Sequence, residues 1–168
     1  KQVTVYPNPV ADFTATSVCF GTQTDFTNTS SVSSGTIDTW TWDFADGNTS
    51  NIQTPSNNYA APGTYPVILT VTTNNQCSAT QTHDVNVNAI PVADFNYSDV
   101  CKNVAAMFTD ASTISAGVIN TWDWDFGDTQ SSSQQSPTYS YNAAGTYTVT
   151  LTISSGVGCN DQIQQDIT

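Results

Sequence analysis

No glutamate and no arginine occur in the chain, and lysine occurs only as Lys1 and Lys102. All 14 acidic groups are therefore aspartates, and the formal net charge is −12. Two lysines cannot neutralise a run of phosphates, which excludes a nucleic-acid partner held by a basic surface. The same shortage excludes adsorption to anionic lipid. Long helices draw on Glu, Arg, Lys, Leu and Ala, so this palette also speaks against a helical protein. No apolar run approaches the roughly 20 residues of a membrane span, and no signal peptide opens the sequence, so direct membrane insertion is not expected. What is abundant is Thr, Ser, Asn and Gln, which make up 72 of the 168 residues. So polar a chain could be disordered, but 4 Trp, 7 Tyr and 7 Phe supply the side chains of a core.

The chain repeats itself without a gap at an offset of 82 residues, and 32 of the 78 positions from Pro9 onward are identical to their partners. Pro9-Val10-Ala11-Asp12-Phe13 returns as Pro91-Val92-Ala93-Asp94-Phe95, and Trp40 and Trp42 return as Trp122 and Trp124. Gly63-Thr64-Tyr65 meets Gly145-Thr146-Tyr147, Cys19 meets Cys101, and Cys77 meets Cys159. A match over a whole domain length means tandem copies of one fold, here 1–88 and 89–168. The second copy stops opposite Asn86, so the chain is expected to be cut from a longer array.

Within each copy the period is two. Tyr65, Val67, Leu69 and Val71 alternate with Pro66, Ile68, Thr70 and Thr72, and Tyr147, Val149, Leu151 and Ile153 alternate with threonines. Such runs predict strands with one buried face. Trp40, Trp42 and Phe44 share a face of another strand, and Asp46-Gly47 supplies the hairpin turn after it. The equivalent Asp128-Thr129 lacks the glycine, so that turn is expected to differ or to be strained. Shorter strands are predicted over 12–17, 24–29, 56–60 and 78–87. About seven short strands in roughly 80 residues is the pattern of a small all-β sandwich.

Trp42-Asp43-Phe44-Ala45-Asp46-Gly47 and Trp124-Asp125-Phe126-Gly127-Asp128 resemble the WDFGDG signature of PKD (polycystic kidney disease) domains. Tyr59 followed by 62–71, and Tyr141 followed by 144–153, resemble that family's second signature. The departures are Ala45 and Thr129, each standing where the family has glycine. The resemblance implies two tandem immunoglobulin-like β-sandwiches and is similar to repeats of long secreted or cell-surface proteins of Bacteroidota. On that fold, Trp42 and Trp124 are expected in the inter-sheet core. Tyr65 and Tyr147 sit where a tyrosine corner forms, and complete the expected structural core. Asp46 and Asp128 suit turn amides better than chemistry.

Four cysteines in a chain of secreted character imply disulfides. Pairing within copies gives Cys19–Cys77 and Cys101–Cys159. In an immunoglobulin-like sandwich, however, Cys19 and Cys77 fall in connections at opposite ends, about 33 Å apart along a ten-residue strand. Bridged Cα atoms lie within about 7 Å. An inter-domain pair Cys19–Cys159 is therefore slightly favoured, leaving Cys77 and Cys101 for preceding and following repeats. The junction Val85-Asn86-Val87-Asn88-Ala89-Ile90-Pro91-Val92 has no Gly/Ser-rich spacer. It suggests an end-to-end rod on the order of 70–80 Å, at about 3.3 Å per strand residue.

Catalysis has no candidate residues. The one histidine, His83, faces Gln165 in the other copy, and no Asp-Thr-Gly occurs. Asp123 and Asp125 flank Trp124 on one strand, but Thr41 replaces the first of them in copy one, so an acid pair is not repeated. No Cys/His zinc spacing is present. Calcium would draw on Asp and carbonyl oxygens, with Asp12, Asp38, Asp94 and Asp110 as weak candidates, yet the 30–38 loop lacks an Asp-rich run. Phe20, Tyr97 and Tyr139 have no aromatic partner in the other copy, too few for a polysaccharide platform. Three glycosylation-like sequons begin at Asn28, Asn48 and Asn96.

These readings converge on a non-enzymatic extracellular spacer of a repetitive adhesin, fibre or appendage, without cofactor. Its expected partners are neighbouring repeats of the same chain, other copies in a fibre, or a surface glycan or protein. The alternatives are a polymer-engaging accessory module of a secreted hydrolase, and a calcium-stiffened adhesion module.

Overall fold

The computed structural model describes residues 1–98 and 100–168. Its backbone divides into two compact units, Lys1–Asn88 and Ala89–Thr168, hereafter repeat 1 and repeat 2. No helix occurs among the described residues, and the chain is all-β.

Repeat 1 contains β1 (Phe13–Ala15), β2 (Val18–Cys19), β3 (Thr24–Asn28), β4 (Ile37–Asp43), β5 (Thr49–Ser50), β6 (Ser56–Asn57), β7 (Gly63–Thr73) and β8 (Ser78–Asn88). One sheet has the order β2-β8-β7-β4-β5 and the other β1-β3-β6. Repeat 2 contains β9 (Phe95–Tyr97), β10 (Ala106–Asp110), β11 (Ile119–Asp125), β12 (Ser131–Ser132), β13 (Thr138–Tyr139), β14 (Tyr147–Ser155) and β15 (Asn160–Ile167). Its sheets run β12-β11-β14-β15 and β13-β10-β9. Among the described residues all strand pairings are antiparallel except β2 with β8, where Val18 stands beside Val87 and Cys19 beside Asn88. That two-residue parallel edge carries no pattern the sequence could announce.

Period-two alternation places Val67, Leu69 and Val71 of β7, and Val149, Leu151 and Ile153 of β14, at 0 % exposure. Aliphatics alone are too few to fill the space between sheets, and aromatic rings supply the rest. Trp42 meets Phe13 at 5.1 Å and Phe26 at 5.5 Å between ring centroids. Trp124 meets Phe95 at 5.1 Å and Phe108 at 5.8 Å. Each contact joins the larger sheet to the smaller. The indole N–H groups of these two core tryptophans are satisfied, Trp42 Nε1 donating to Ile52 O and Trp124 Nε1 to Gln134 O, both at 2.9 Å.

Tyr65 and Tyr147 are only partly buried, which revises their expected place in the core. Each lies along the rim, stacked on Tyr59 (4.0 Å) or Tyr141 (4.1 Å), and these two are the buried tyrosines. The rim position leaves the hydroxyls of Tyr65 and Tyr147 free to donate to Ala61 O at 2.8 Å and Ala143 O at 3.1 Å. This four-residue backward bond is the tyrosine-corner geometry.

The turn after the tryptophan strand has the same conformation in both repeats. Ala45 (φ 61°) matches Gly127 (φ 77°), and Gly47 (φ 93°) matches Thr129 (φ 76°). Each turn thus forces one non-glycine residue into the left-handed region, at a different position. Thr129 is the more strained because it is β-branched. At Gly127 a Cβ would stand 2.6 Å from Thr148 O, so this glycine also admits the close approach of β14.

Two outcomes follow for stability. Trp42→Ala or Trp124→Ala should destabilise its own repeat by roughly 3–5 kcal/mol in denaturant titration, as buried Trp truncations do. Thr129→Gly should stabilise repeat 2 by about 0.5–1 kcal/mol, the left-handed penalty less the added freedom of the unfolded chain. A destabilising Thr129→Gly would mean the hydroxyl or methyl holds something that outweighs the strain.

Candidate functional site

The signature aspartates work on the backbone. Asp43 Oδ1 accepts from Ala45 N at 2.9 Å and Asp125 Oδ1 from Gly127 N at 2.8 Å, holding the start of each turn. Asp46 Oδ1 accepts from Asn48 N at 2.9 Å, and Asp128 Oδ1 from Gln130 N at 3.3 Å. The second oxygen of each reaches the smaller sheet. Asn57 Nδ2 on β6 donates to Asp46 Oδ2 at 2.7 Å, and the Tyr139 hydroxyl on β13 donates to Asp128 Oδ2 at 2.7 Å. The carboxylate therefore latches the hairpin across the sandwich. Burial tends to raise the Asp46 pKa, but hydrogen bonds from Asn57 and Asn48 outweigh it and the net direction is down. The Tyr139 pKa is pushed up to about 12 by burial first and then by Asp128, so the phenol stays a donor.

The four calcium candidates are scattered. Asp12 Oδ1 lies 2.8 Å from His83 Nε2, and this bond, with the Phe13 amide, holds the exposed Asp12 carboxyl below its ordinary value. Asp94 Oδ1 caps Phe95 N at 2.9 Å, and Asp38 Oδ1 accepts from the Thr36 hydroxyl at 2.7 Å. Among the described residues no three His, Cys, Asp or Glu side chains come together in a possible cation cage. His83 packs edge-on against Phe13, with its Nε2 engaged by Asp12.

Asp110 has a role the sequence did not disclose. Its Oδ1 accepts from Ser112 N at 3.0 Å, while Oδ2 accepts from Trp122 Nε1 at 2.8 Å and Gln135 Nε2 at 3.0 Å. Repeat 1 keeps the indole and the amide as Trp40 and Gln53 but has Asn28 in place of the acid. Asn28 Oδ1 is likewise taken by Ser30 N at 3.0 Å, so the second oxygen is replaced by an NH2 group that cannot accept. Trp40 Nε1 is accordingly buried with no hydrogen-bond partner. The signal was present as a single Asp/Asn difference between copies, but its meaning needed the fold.

The cysteines sort by end. In repeat 1, Cys77 begins at the β7–β8 hairpin, with its carbonyl accepting from Thr73 N at 2.9 Å. Cys19 stands beside Asn88 at the other end of β8. The 11 residues of β8 span roughly 35 Å at about 3.4 Å per residue. In repeat 2, Cys159 closes the β14–β15 hairpin, while Cys101 lies on the rim of a groove with Ile167 and Thr168 at the far end of β15. Each repeat thus carries one cysteine at its hairpin end and one at the end where its last strand finishes. Cys19 and Cys159 are each disulfide-bonded, and Cys77 and Cys101 are free thiols. The within-copy pairings Cys19–Cys77 and Cys101–Cys159 are therefore corrected: strand length separates the partners far beyond bridging distance.

The Asp110 comparison makes a paired expectation. Asp110→Asn should cost repeat 2 about 1 kcal/mol, a charged hydrogen bond discounted for partial solvent screening, and Asn28→Asp should return a similar amount to repeat 1. Burial raises the Asp110 pKa, but its hydrogen bonds from Ser112, Gln135 and Trp122 bring the net direction below the ordinary 3.8. The wild-type advantage is hence fully present above that ordinary value and disappears as pH falls through the lower folded value. Melting curves of each variant across pH 2–6 measure this, and a pH-independent difference would assign the effect to packing.

Comparison with known proteins matches this architecture. A family model described as PKD domain covers residues 6–87 and again 88–168. The precursor of the metalloprotease PrtV of Vibrio cholerae is 40 % identical over 80 residues, 48 % of this chain and 8 % of the relative. A microbial collagenase of Vibrio alginolyticus is 43 % identical over 49 residues, 29 % of this chain and 6 % of the relative. The chain thus spans less than a tenth of either relative. The crystal structure of the PKD1 domain of that V. cholerae metalloprotease is 40 % identical, covering 46 % of this chain and 94 % of the domain, with a TM-score of 0.43. With two family matches end to end over nearly its whole length, the chain belongs to the PKD domain family and consists of two consecutive PKD domains.

Proposed function

We propose that this domain pair is a non-enzymatic extracellular spacer, a stiff structural segment of a repetitive surface adhesin, fibre or appendage. The observation that carries the reading is the placement of the cysteines. Each repeat holds its two sulfurs at opposite ends, so a bond made by either sulfur leads out of its own repeat. The bonded state of Cys19 and Cys159, with Cys77 and Cys101 as thiols, supports a Cys19–Cys159 link between repeats. Such a staple constrains the junction rather than either core. The aspartates support the same reading, since Asp43, Asp46, Asp110, Asp125 and Asp128 are engaged in turns and in contacts across the sandwich. A hydroxyl- and amide-rich surface with a charge of −12 stays soluble outside the cell.

A second reading draws on the relatives. Matching segments lie in a metalloprotease precursor and a collagenase, which supports an accessory module that engages an insoluble polymer beside a catalytic domain. The two readings separate in two measurements. Under the spacer reading, peptide mapping finds Cys19–Cys159, reduction increases inter-domain flexibility in small-angle scattering, and the melting point of each repeat changes little. The protein also stays in the supernatant with insoluble collagen, cellulose or chitin. Saturable co-sedimentation with one of these polymers, together with scattering curves unchanged by reductant, would transfer support to the accessory role.

A further inference from the structure

We propose that repeat 1 carries a site for a neutral sugar with an acetamido group, in the open depression lined by Asn28, Trp40 and Gln53. In repeat 2 a single oxygen, Asp110 Oδ2, collects the Trp122 indole N–H at 2.8 Å and the Gln135 amide at 3.0 Å. These groups spend their hydrogen bonds on one another. Repeat 1 retains both donors as Trp40 and Gln53, but Asn28 offers an NH2 group at that point, because its Oδ1 is held by Ser30 N at 3.0 Å. Trp40 Nε1 is consequently buried without a partner, and Gln53 is exposed. A buried donor left unpaired is costly, so an acceptor that reaches it gains more than one at the open surface.

The surroundings define that acceptor. The depression has a volume of about 410 Å³, with Ser31, Val32 and Ile37 also along its wall. None of its lining residues is charged, and the net charge of −12 opposes an anion. A neutral carbonyl oxygen suits the indole N–H, and Val32 and Ile37 suit an apolar methyl; an acetamido group combines the two. Sugar hydroxyls match the Ser31 hydroxyl and the Gln53 amide. A peptide brings the same amide, but strand pairing needs free main-chain groups. Here these are spent: Val10 N and Ser31 N each donate to the other's carbonyl, at 2.8 and 2.9 Å, and Thr36 O accepts from Asn74 N at 3.0 Å. Recognition therefore runs through side chains, and the depression seats one terminal sugar, not the face of an insoluble polymer.

The loop that walls the depression is held in place without a ligand. Asn74 engages Thr36 twice, its backbone N–H donating to Thr36 O and its Oδ1 accepting from Thr36 N at 3.5 Å. Gly35, at φ 90°, permits this approach, since a Cβ there would stand 2.9 Å from Asn74 Oδ1. Repeat 2 has Gly156 in place of Asn74 and so lacks the side-chain anchor. A wall fixed in advance lowers the ordering cost of binding. Binding turns the Asn28 NH2 aside and sets the acetamido oxygen where Asp110 Oδ2 lies in repeat 2, accepting from Trp40 Nε1.

The site gives a ligand class to the adhesin form of the spacer reading and rests on that reading for its context. Its test involves neither the cysteine map nor the scattering, so either can fail alone. The whole chain, isotope-labelled in nitrogen, is titrated with the methyl β-glycoside of N-acetylglucosamine, and the indole N–H resonances of its 4 tryptophans are followed. Expected is a saturable shift of one resonance, the one missing from Trp40→Phe, and no shift with methyl β-glucoside, which lacks the acetamido group. Asn28→Asp supplies the acceptor from within the fold. It should weaken binding roughly fivefold or more, the loss of one hydrogen bond, while raising the melting temperature of repeat 1. A purely structural Asn28 would change the melting temperature alone. An unmoved Trp40 resonance, or an Asn28→Asp chain that binds as wild type does, would overturn the proposal. Binding of N-acetylglycinamide as tightly as the sugar would overturn it too, in favour of a peptide ligand.

Discussion

One tryptophan per repeat, pressed between two thin sheets, is the constraint on which the rest depends. The smaller sheet of each repeat contributes short strands and few aliphatics, so a core of aliphatic alternation alone would leave the sheets unjoined. Trp42 and Trp124 span that distance and gather Phe13 and Phe26, or Phe95 and Phe108, around one indole. Burying an indole N–H without a partner would cost more than its ring contacts contribute at that atom. Each therefore needs a carbonyl at a fixed place, Ile52 O or Gln134 O, on the strand-to-strand connection that follows β5 or β12. The position of the tryptophan thus dictates the path of a loop ten residues away.

The same need to fix loops explains the acid composition. A carboxylate that must accept from an amide two residues onward has to be on a short stem, and Asp meets this requirement where Glu does not. Asp43, Asp46, Asp110, Asp125 and Asp128 each do so. Three of them use the remaining oxygen to reach another strand or connection: Asp46 to Asn57, Asp128 to Tyr139, Asp110 to Trp122 and Gln135. Five of the 14 aspartates are thus turn clamps, and three of the five spend the second oxygen on a further contact.

Fold class, the tandem duplication and the buried tryptophans were legible because they rest on local periodicity and on internal repetition, which a single sequence displays. Asp46 as a turn residue was legible for the same reason. The buried rings of Tyr59 and Tyr141 beneath Tyr65 and Tyr147 were not, since stacking order follows from how β7 and β14 cross the preceding connection. Nor was the contrast between Trp122, bonded to Asp110, and Trp40, left without an acceptor. Its participants lie 12 and 25 residues apart along the chain and meet only through the fold. The parallel edge formed by Val18 and Cys19 was equally hidden, because two residues carry no period.

Duplication makes the two repeats controls for each other, and their differences are informative where the backbone is unchanged. Ala45 with Gly47, and Gly127 with Thr129, reach one turn conformation from different residues. The turn is therefore imposed from outside itself, by the aspartate latch and the strands it joins, because local preference alone would not hold a threonine at φ 76°. The latch shows the same logic from its other side: Asn57 and Tyr139 differ in size and chemistry, yet each delivers a donor to the same carboxylate oxygen at 2.7 Å. What the two repeats share at the latch is the placing of a hydrogen-bond donor. The identity of the residue that supplies it is secondary, which is how two copies that agree at 32 of 78 positions can keep one fold.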